Sequence, residues 1–450
     1  MAGIFGTDGV RARINTGPMR AEAVVRLALA AGRWFADNNQ QEGRLANPVV
    51  VIGKDTRLSG YMLEAALVAG FTSIGINCRL LGPVPTAAVS YLTHSMRADF
   101  GVMISASHNP HQDNGIKLFG PDGAKLADDI ELEISELMQG SIALAEPDKL
   151  GRARRIVNSA QRYMEAAKAT FDTSLSLGGL HLVVDCAHGA AYRTAPETLV
   201  ELGADILPMG VAPDGLNINL ECGATAPEVM ARTVREAGAD IGICLDGDAD
   251  RLILADENGR ICDGDQILAA LAIEMQANGR LKGPVIGTVM SNLGLERFLA
   301  DAGIDFQRAA VGDRYIAAKM RETASQLGGE PSGHILLPEL TRTGDGLIAA
   351  LQVLAILTRS GKKASEILSS FTPVPQKLVN LRDMDKSVLG HPDIKSEMQA
   401  VTDELGDEGR ILLRPSGTEP LIRVMVEALD EARLDAAMQR LVTALKAAAE

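Results

Sequence analysis

The chain has 450 residues, and at about 150 residues per domain this length predicts about three compact units and excludes a single small module. It carries 44 Lys and Arg against 58 Asp and Glu, so its net charge of -14 and its aromatic content of only 3% argue against a nucleic-acid partner. Hydrophobic residues at 46% and charged residues at 23% are typical of a globular chain rather than a disordered one.

Short apolar runs alternate with amphipathic helical stretches along nearly the whole chain, which is typical of α/β architecture. Strands are predicted at 48–53, 75–81, 101–105, 182–186, 241–245, 284–290 and 422–428. The clearest helical period covers 432–447, where Leu and Met side chains share one face. We expect this helix to cover a small last domain.

Three polar or turn-rich segments interrupt this alternation and predict four units. They cover 140–157, 256–263 and 371–376, and the last of them places two prolines after a helical stretch. The predicted units are 1–150, 151–257, 258–370 and 371–450. Each of the first three offers strand, helix, strand patterns, whereas the last is a short α+β unit.

The cysteines and the apolar segments indicate the compartment. The five cysteines include no Cys-x-x-Cys pair, which favours a reducing compartment over a disulfide framework or a zinc clip; they are Cys78, Cys186, Cys222, Cys244 and Cys262. The segment MAGIFGTDGVR lacks the pattern of a signal peptide. The apolar stretch 347–357 is far shorter than the ~20 residues of a membrane span. We expect a cytoplasmic protein with no membrane partner.

The loop over 105–117 follows a predicted strand and offers a nucleophile. Ser107 lies just beyond that strand with His108 beside it, and the step from Asn109 to Pro110 favours a sharp turn. An exposed hydroxyl next to an imidazole can act as a nucleophile or as a phosphate carrier. A turn with a capping serine explains the same residues. Lys117, which we expect to be held by a turn over 113–115, either points back at Ser107 or is solvated.

The loop over 246–251 carries three carboxylates, Asp246, Asp248 and Asp250, directly after a predicted strand. Such oxygen ligands suit Mg²⁺ or Ca²⁺. Glu257 completes an EF-hand spacing, but Arg251 stands where that loop requires Gly, and strand-like segments flank the loop where an EF-hand has helices. We favour a strand-borne Mg²⁺ site over a solvated acidic turn.

The loop over 328–334 combines three polar side chains with three glycines. Glu330, Ser332 and His334 have the chemistry to hold several hydroxyls of a sugar. Taken alone, the segment is better explained as a polar turn.

The loop over 414–423 has the composition of a small-anion site. Its candidate contacts are two arginines, two hydroxyls and the backbone near a glycine, namely Arg414, Ser416, Gly417, Thr418 and Arg423. These loops contain no nucleotide-phosphate motif of the GxxxxGK[ST] or GxGxxG kind. Together the four loops supply a nucleophile, a site for a hard cation, side chains that can bind sugar hydroxyls, and a phosphate clamp. These are the groups that phosphoryl transfer on a sugar phosphate requires.

The residues of these loops resemble the α-D-phosphohexomutase superfamily, most closely its bacterial phosphoglucosamine mutase branch, and the resemblance covers essentially the whole chain. The matching segments occur in family order: FGTDGVR (5–11), GKDTRLSG (53–60), MISASHNPHQDNGIK (103–117), LDGDADR (245–251), VGDRY (311–315), GEPSGH (329–334), TGDG (343–346) and RPSGTEPLIRVMVEA (414–428). The resemblance implies three similar α/β domains with mixed sheets and a small C-terminal domain of the TATA-binding-protein-like type around a central cleft.

The resemblance also implies the roles of individual residues. Ser107 is the implied phosphoserine, and one Mg²⁺ is held by an oxygen of phospho-Ser107 with Asp246, Asp248 and Asp250. Arg11 and Arg251 support that region, and Lys117 and His108 match positions proposed for proton transfer. The implied sugar and phosphate contacts are Asp313, Arg314, Glu330, Ser332, His334, Arg414, Ser416, Gly417, Thr418 and Arg423. By unit, 1–150 bears the phosphoserine, 151–257 the metal loop, 258–370 the sugar loop and 371–450 the phosphate clamp.

The activity implied by the resemblance is that of an isomerase. Phospho-Ser107 gives its phosphoryl group to O1 of glucosamine 6-phosphate, the 1,6-bisphosphate turns around in the cleft, its 6-phosphate returns to Ser107, and glucosamine 1-phosphate leaves. That product feeds UDP-N-acetylglucosamine and bacterial cell-wall synthesis. The implied partners are Mg²⁺, the bisphosphate as intermediate and activator, and a small sugar phosphate; a homodimer is compatible with the family.

Two departures and three alternatives accompany this interpretation. Ala12 stands where the branch usually has Gly, and Arg342 where Thr is common; neither position carries an assigned role. The alternatives are a phosphoglucomutase or phosphomannomutase with the same chemistry, a Mg²⁺-dependent sugar phosphatase, and a non-catalytic calcium or sugar-phosphate binding module.

Overall fold

Four sheets follow one another along the chain in a computed structural model that describes residues 4–6, 8–38, 48–382, 384–415 and 421–449. The first three sheets contain both parallel and antiparallel pairs, whereas the fourth is antiparallel. Helices accompany every sheet. The expected fold class, three mixed α/β units followed by a small α+β unit, is confirmed. Within the described ranges, no helix has both the length and the apolar character to cross a membrane.

The first sheet has six strands. They are β1 (Val10–Arg13), β2 (Val49–Lys54), β3 (Asn77–Pro83), β4 (Phe100–Ile104), β5 (Asp113–Phe119) and β6 (Ala153–Arg155), and their helices are α1 (Ala21–Asn38), α2 (Gly60–Ser73), α3 (Thr86–Ser95) and α4 (Asp128–Leu137). The spatial order is β1-β5-β4-β2-β3-β6. Since β6 lies beyond residue 150, the hydrogen bonds of this sheet extend past the predicted end of the first unit.

Strand β5 corrects the turn predicted over 113–115. Asp, Asn and Gly are turn residues, which is why a turn is expected there. In the structure β5 is hydrogen-bonded on both sides, to β1 and to β4, and both pairings are antiparallel. Gly115 fits because a Cβ at this position would lie 2.5 Å from the carbonyl oxygen of Ser105. Lys117 therefore projects from a buried strand and not from a loop.

The second sheet places the acidic loop between two strands. Its strands are β7 (His181–Asp185), β8 (Asp205–Met209), β9 (Ile241–Leu245), β10 (Leu252–Asp256) and β11 (Ile261–Cys262), and its helices are α5 (Ser159–Lys168), α6 (Thr194–Glu201) and α7 (Glu228–Ala237). The order is β11-β10-β9-β7-β8, with β9 and β10 antiparallel neighbours. The residues 246–251 therefore connect two strands, unlike an EF-hand loop. Strand β11 lies beyond residue 257, so this sheet too passes a predicted boundary.

The third and fourth sheets carry the remaining loops. The third contains β12 (Val285–Thr288), β13 (Phe306–Ala309), β14 (Gly328–Gly329) and β15 (Ile335–Leu336), with helices α8 (Gly264–Ala277), α9 (Leu293–Asp301), α10 (Asp313–Thr323), α11 (Gly346–Ser360) and α12 (Ala364–Leu368). The fourth contains β16 (Gln376–Arg382), β17 (Gly409–Pro415) and β18 (Leu421–Ala428), with helices α13 (Pro392–Leu405) and α14 (Glu431–Ala449). Strand β18 lies between the other two.

The apolar cores connect the first three units and leave the fourth apart. One cluster of buried side chains includes Val51 of β2, Leu254 of β10 and Leu354 of α11. A second cluster fills the other face of the first sheet against α1, α2 and α4. The fourth sheet and its helices have a cluster of their own, which includes Val424 and Leu441.

Replacing Tyr163 with Phe is expected to destabilise the contact between the second and third units. Tyr163 on α5 is buried, and its hydroxyl donates to both carboxylate oxygens of Asp345 at 2.9 Å. Asp345 also caps α11 by accepting from the backbone N–H of Ile348 at 3.0 Å. A hydrogen bond to a charged group contributes about 1.5–3 kcal/mol, so the variant should lose roughly that much in urea unfolding at pH 7.5.

The pH dependence and a second tyrosine provide the control. Burial raises the pKa of Asp345 to about 6, so at pH 5 the carboxyl is protonated and the loss caused by Tyr163→Phe should shrink. Tyr91→Phe makes the same change at a side chain that is 40% exposed. Equal losses in the two variants would contradict the interpretation.

Candidate active site

Ser107 lies three residues beyond β4 in a strained and buried turn. Its φ is 50°, in the left-handed region that side chains rarely adopt, and only 1% of the residue is exposed. Its backbone N–H donates to Ser105 Oγ at 2.9 Å, and its own hydroxyl donates to Asp246 Oδ2 at 2.6 Å. The turn thus directs the hydroxyl out of the first unit and onto the acidic loop of the second.

Two side chains that sequence reasoning missed hold the backbone of this turn. Arg57 Nη2 donates to the Ser107 carbonyl oxygen at 3.1 Å, and Asn219 Nδ2 donates to the same oxygen at 2.9 Å. Arg57 is itself buried in an ion pair with Asp55. Arg57 lies in the matched segment 53–60, whereas no sequence signal marks Asn219. The strained turn is therefore held from both the first and the second unit.

The three carboxylates of the acidic loop converge as predicted. Asp246, Asp248 and Asp250 are all buried, and one oxygen of each lies within 4.8 Å of the others. Burial, and then the charges of Asp250 and Asp248, raise the pKa of Asp246 to about 7. Among the described residues, Oδ1 of Asp248 and Oδ1 of Asp250 have no hydrogen-bond partner although both are buried. Unpartnered buried carboxylate oxygens are costly unless a cation neutralises them.

Lys117 reaches this cluster from β5. Its ammonium lies 2.9 Å from Asp248, 3.2 Å from Asp250 and 3.0 Å from Asp8. Burial by itself would lower the pKa of Lys117, but these carboxylates outweigh it and raise the pKa well above 10.5. The three carboxylates therefore hold the buried lysine in its charged form beside the metal-type cluster.

The other candidate groups near Ser107 are an imidazole and two arginines. His108 Nδ1 lies 3.5 Å from Ser107 Oγ, and burial, together with the charges of Arg251 and Arg11, lowers the pKa of His108 to about 4. The backbone N–H of Arg251 donates to Asp246 Oδ1 at 3.2 Å. Arg11 is ion-paired with Asp8. Both arginines therefore lie close enough to act on the imidazole beside Ser107, which is neutral at pH 7.

The predicted sugar loop lies against the acidic loop. Glu330 accepts from the backbone N–H of Gly312 and from the hydroxyl of Ser332, each at 3.0 Å. The buried His334 places Nδ1 3.6 Å from Asp250 Oδ1 and Nε2 3.7 Å from Asp313 Oδ2. The loop over 328–334 therefore contacts the acidic loop directly.

Asp313 and Arg314 stand at the start of α10, where the third unit meets the first. Asp313 forms an ion pair with Lys125. Arg314 forms an ion pair with Asp128 and donates to the backbone carbonyl oxygen of Gly6. The structure therefore places both residues at a contact between units, which sequence spacing does not indicate.

Arg414 and Arg423 of the predicted phosphate clamp face one another across β17 and β18, where they are direct cross-strand partners. Burial and the charge of Arg423 lower the pKa of Arg414. The Nε atom of each is buried without a partner among the described residues. Two cations held together in this way favour a bound anion. The rest of the predicted clamp, Ser416, Gly417 and Thr418, lies outside the described residues.

Comparison with known proteins gives full-length matches. Models of the phosphoglucomutase/phosphomannomutase domains I, II, III and C-terminal match residues 2–143, 161–259, 263–374 and 378–444. The chain is 55% identical over 448 residues to the phosphoglucosamine mutase of Cereibacter sphaeroides (strain ATCC 17025 / ATH 2.4.3), with 99% of both chains covered. It is 56% identical over 445 residues to that of Jannaschia sp. (strain CCS1), with 98% of both covered.

Solved structures share the fold. A phosphoglucomutase/phosphomannomutase family protein from Burkholderia thailandensis superposes with a TM-score of 0.82 at 24% identity, covering 100% of this chain and 98% of that one. The Aspergillus fumigatus N-acetylphosphoglucosamine mutase in complex with GlcNAc-6P and magnesium gives 0.68 at 19% identity, covering 99% and 96%. The family resemblance drawn from the sequence is confirmed. The chain belongs to the phosphoglucomutase/phosphomannomutase family of phosphohexomutases, among the relatives named phosphoglucosamine mutase.

Proposed function

We propose that this protein interconverts glucosamine 6-phosphate and glucosamine 1-phosphate through a phosphorylated Ser107. The observation that carries the proposal is the hydroxyl of Ser107, held 2.6 Å from Asp246 within a buried cluster of three carboxylates. The relatives at 55% and 56% identity are named for this substrate class. We propose the same substrate class for the present chain.

The reaction consists of two phosphoryl transfers in opposite directions. In the first, the bond between Ser107 Oγ and phosphorus breaks, a bond from phosphorus to the sugar O1 forms, the O1 proton is removed and Ser107 Oγ takes up a proton. In the second, the bond between O6 and phosphorus of the 1,6-bisphosphate breaks, a bond from phosphorus to Ser107 Oγ forms, the Oγ proton is removed and O6 takes up a proton. We propose Lys117 and His108 as the groups that hold or move these protons, since both lie beside the serine or its carboxylate partners.

We propose Mg²⁺ as the resident metal. The donor set fits, because three carboxylates supply hard oxygen ligands and two of their buried oxygens accept no hydrogen bond from the described residues. Asp246, Asp248 and Asp250 would hold the ion together with an oxygen on Ser107. When bound, Mg²⁺ offsets negative charge on the phosphoryl group. Arg251 and Arg11 lie close enough to add positive charge to the same region.

Both ends of the sugar phosphate must be bound in turn, because the bisphosphate reverses between the two transfers. We propose that Glu330, Ser332 and His334 contact the sugar hydroxyls, with Asp313 and Arg314 in support. Arg414 and Arg423, with Ser416, Gly417 and Thr418, would bind whichever phosphate is not reacting. Guanidinium groups suit this task because they recognise phosphate oxygens without depending on the rest of the sugar.

A cytoplasmic location fits a soluble sugar phosphate as substrate.

A parallel assay of three sugar phosphates tests the proposal. Glucosamine, glucose and mannose 6-phosphates are each supplied with Mg²⁺ and a trace of the matching bisphosphate, and both the 1-phosphate product and free phosphate are measured. We expect glucosamine 6-phosphate to give the highest kcat/KM with no free phosphate. A faster reaction with glucose or mannose phosphate would identify a phosphoglucomutase or phosphomannomutase, and stoichiometric free phosphate would identify a phosphatase.

A further inference from the structure

Lys125 carries no role in the proposed mechanism, yet it lies between two carboxylates from different units. It follows β5, and its ammonium is 2.5 Å from Asp8 Oδ1 in the first unit and ion-paired with Asp313 in the third. Its side chain is only 20% exposed. Burial by itself would lower the pKa of Lys125, but Asp313 and Asp8 outweigh it and raise the pKa. The charge is therefore held in place by its neighbours on both sides.

These pairs form part of a closed ring of contacts. On one side of Lys125, Asp8 also contacts Lys117. On the other side, Asp313 also contacts His334. Lys117 and His334 both contact Asp250, which closes the ring. Acidic and basic groups alternate around the ring, in the order Asp250, Lys117, Asp8, Lys125, Asp313, His334 and back to Asp250. A group that moves in such a ring shifts both of its neighbours.

We propose that Lys125 is a positioning residue that sets the proton-transfer lysine and the sugar-loop histidine relative to one another. The inference rests on the proposed function, since it assigns these two side chains to the same turnover. Without the ammonium, Asp8 and Asp313 would face each other as like charges across the contact between the first and third units. Lys117 is paired with Asp8 and His334 with Asp313, so these two side chains would shift as the two carboxylates move apart, although Lys125 itself touches neither of them.

The comparison of Lys125→Met with Lys168→Met tests the proposal. Lys168 on α5 is also 20% exposed and also paired with two carboxylates, Glu165 at 2.7 Å and Glu201 at 2.5 Å, but it lies in the second unit away from the ring. A misplacement of about 1 Å can cost about 100-fold in rate. We expect Lys125→Met to lower kcat by about 10-fold to 100-fold with KM changed less than about threefold, and Lys168→Met to match the wild type.

Two further readouts separate positioning from a general structural role. The rise in unfolding temperature caused by Mg²⁺ should be the same in both variants, because Lys125 does not contact the three carboxylates. In an Asp313→Asn background, removal of Lys125 should cost less than in the wild type, because one of its two partners is already neutral. Should Lys125→Met fail to fold, Lys125→Gln gives the same comparison with a neutral amide that can still hydrogen-bond.

The outcomes are distinct. An inactive wild type with every sugar phosphate overturns the proposed function. An active wild type with Lys125→Met and Lys168→Met indistinguishable overturns the role of Lys125, as does a loss that appears only in KM. A reduced response to Mg²⁺ in Lys125→Met would also overturn it, because the lysine would then act on the metal cluster.

Discussion

Replacing Ser107 with alanine is expected to abolish mutase turnover, by on the order of 10⁶-fold, the scale reached when the nucleophile of a covalent enzyme is removed. Alanine has no oxygen that can carry the phosphoryl group between the two transfers. Transfer of the phosphoryl group to water instead would release free phosphate, which cannot phosphorylate the sugar again. The variant should keep its fold, because the turn is held through the backbone contacts of Arg57 and Asn219 rather than through the hydroxyl. Turnover is measured with glucosamine 6-phosphate and a trace of bisphosphate.

The mass of the intact protein provides the second measurement. After incubation with the bisphosphate, the wild type should gain one phosphoryl group and Ser107→Ala should gain none. Ser141→Ala, which changes an exposed serine in a loop, serves as the matched control and should be phosphorylated and active like the wild type. Mutase activity that survives in Ser107→Ala would rule out the phosphoserine assignment.

Replacing Asp248 with asparagine is expected to remove most of the affinity for Mg²⁺. The change keeps the size of the side chain but removes the negative charge at a position where one oxygen is buried without a partner among the described residues. Loss of a group behind a metal ligand typically costs about 10-fold to 100-fold in affinity, so loss of a direct ligand should cost at least about 100-fold. Since only the folded protein offers the site, Mg²⁺ at 100 times its Kd should stabilise the wild type by about 2.7 kcal/mol.

The affinity for Mg²⁺ can be measured without substrate, by following the unfolding temperature as Mg²⁺ is added. The wild-type curve should rise and the Asp248→Asn curve should stay nearly flat over the same concentrations. Asp148→Asn, at an exposed position outside the site, makes the same chemical change and should respond like the wild type. Superimposable curves for Asp248→Asn and the wild type would exclude the three carboxylates as the metal site.

Strands buried on both faces were the most predictable part of the fold. Two of them, Phe100–Ile104 and Ile241–Leu245, are buried at every position. Their uninterrupted apolar runs predict strands that are covered on both faces. Strand β5 begins with Asp, Asn and Gly, whose local preference is for a turn, but hydrogen bonding to β1 and β4 on both sides outweighs that preference. The short strands of two residues, such as Gly328–Gly329, have no pattern long enough to be read.

The site was predictable where its residues are adjacent in the chain. Asp246, Asp248 and Asp250 alternate within one loop, so their convergence depends only on local backbone geometry. The contact of Asn219 with Ser107 spans 112 positions, and the pair of Lys125 with Asp313 spans 188. Contacts of that kind depend on how whole units pack, which no local pattern expresses. For the same reason the sequence does not indicate that Arg314 binds residues of the first unit.

The shared apolar core bears on how such a chain can change in evolution. Because the cluster that contains Val51, Leu254 and Leu354 runs through three sheets, a cut or exchange between any two of them would leave apolar surface facing water. The fourth unit, with a cluster of its own around Val424 and Leu441, meets no such penalty at the residues before Gln376. Insertions, replacements and altered orientations of the fourth unit should therefore be tolerated more readily than any rearrangement among the other three.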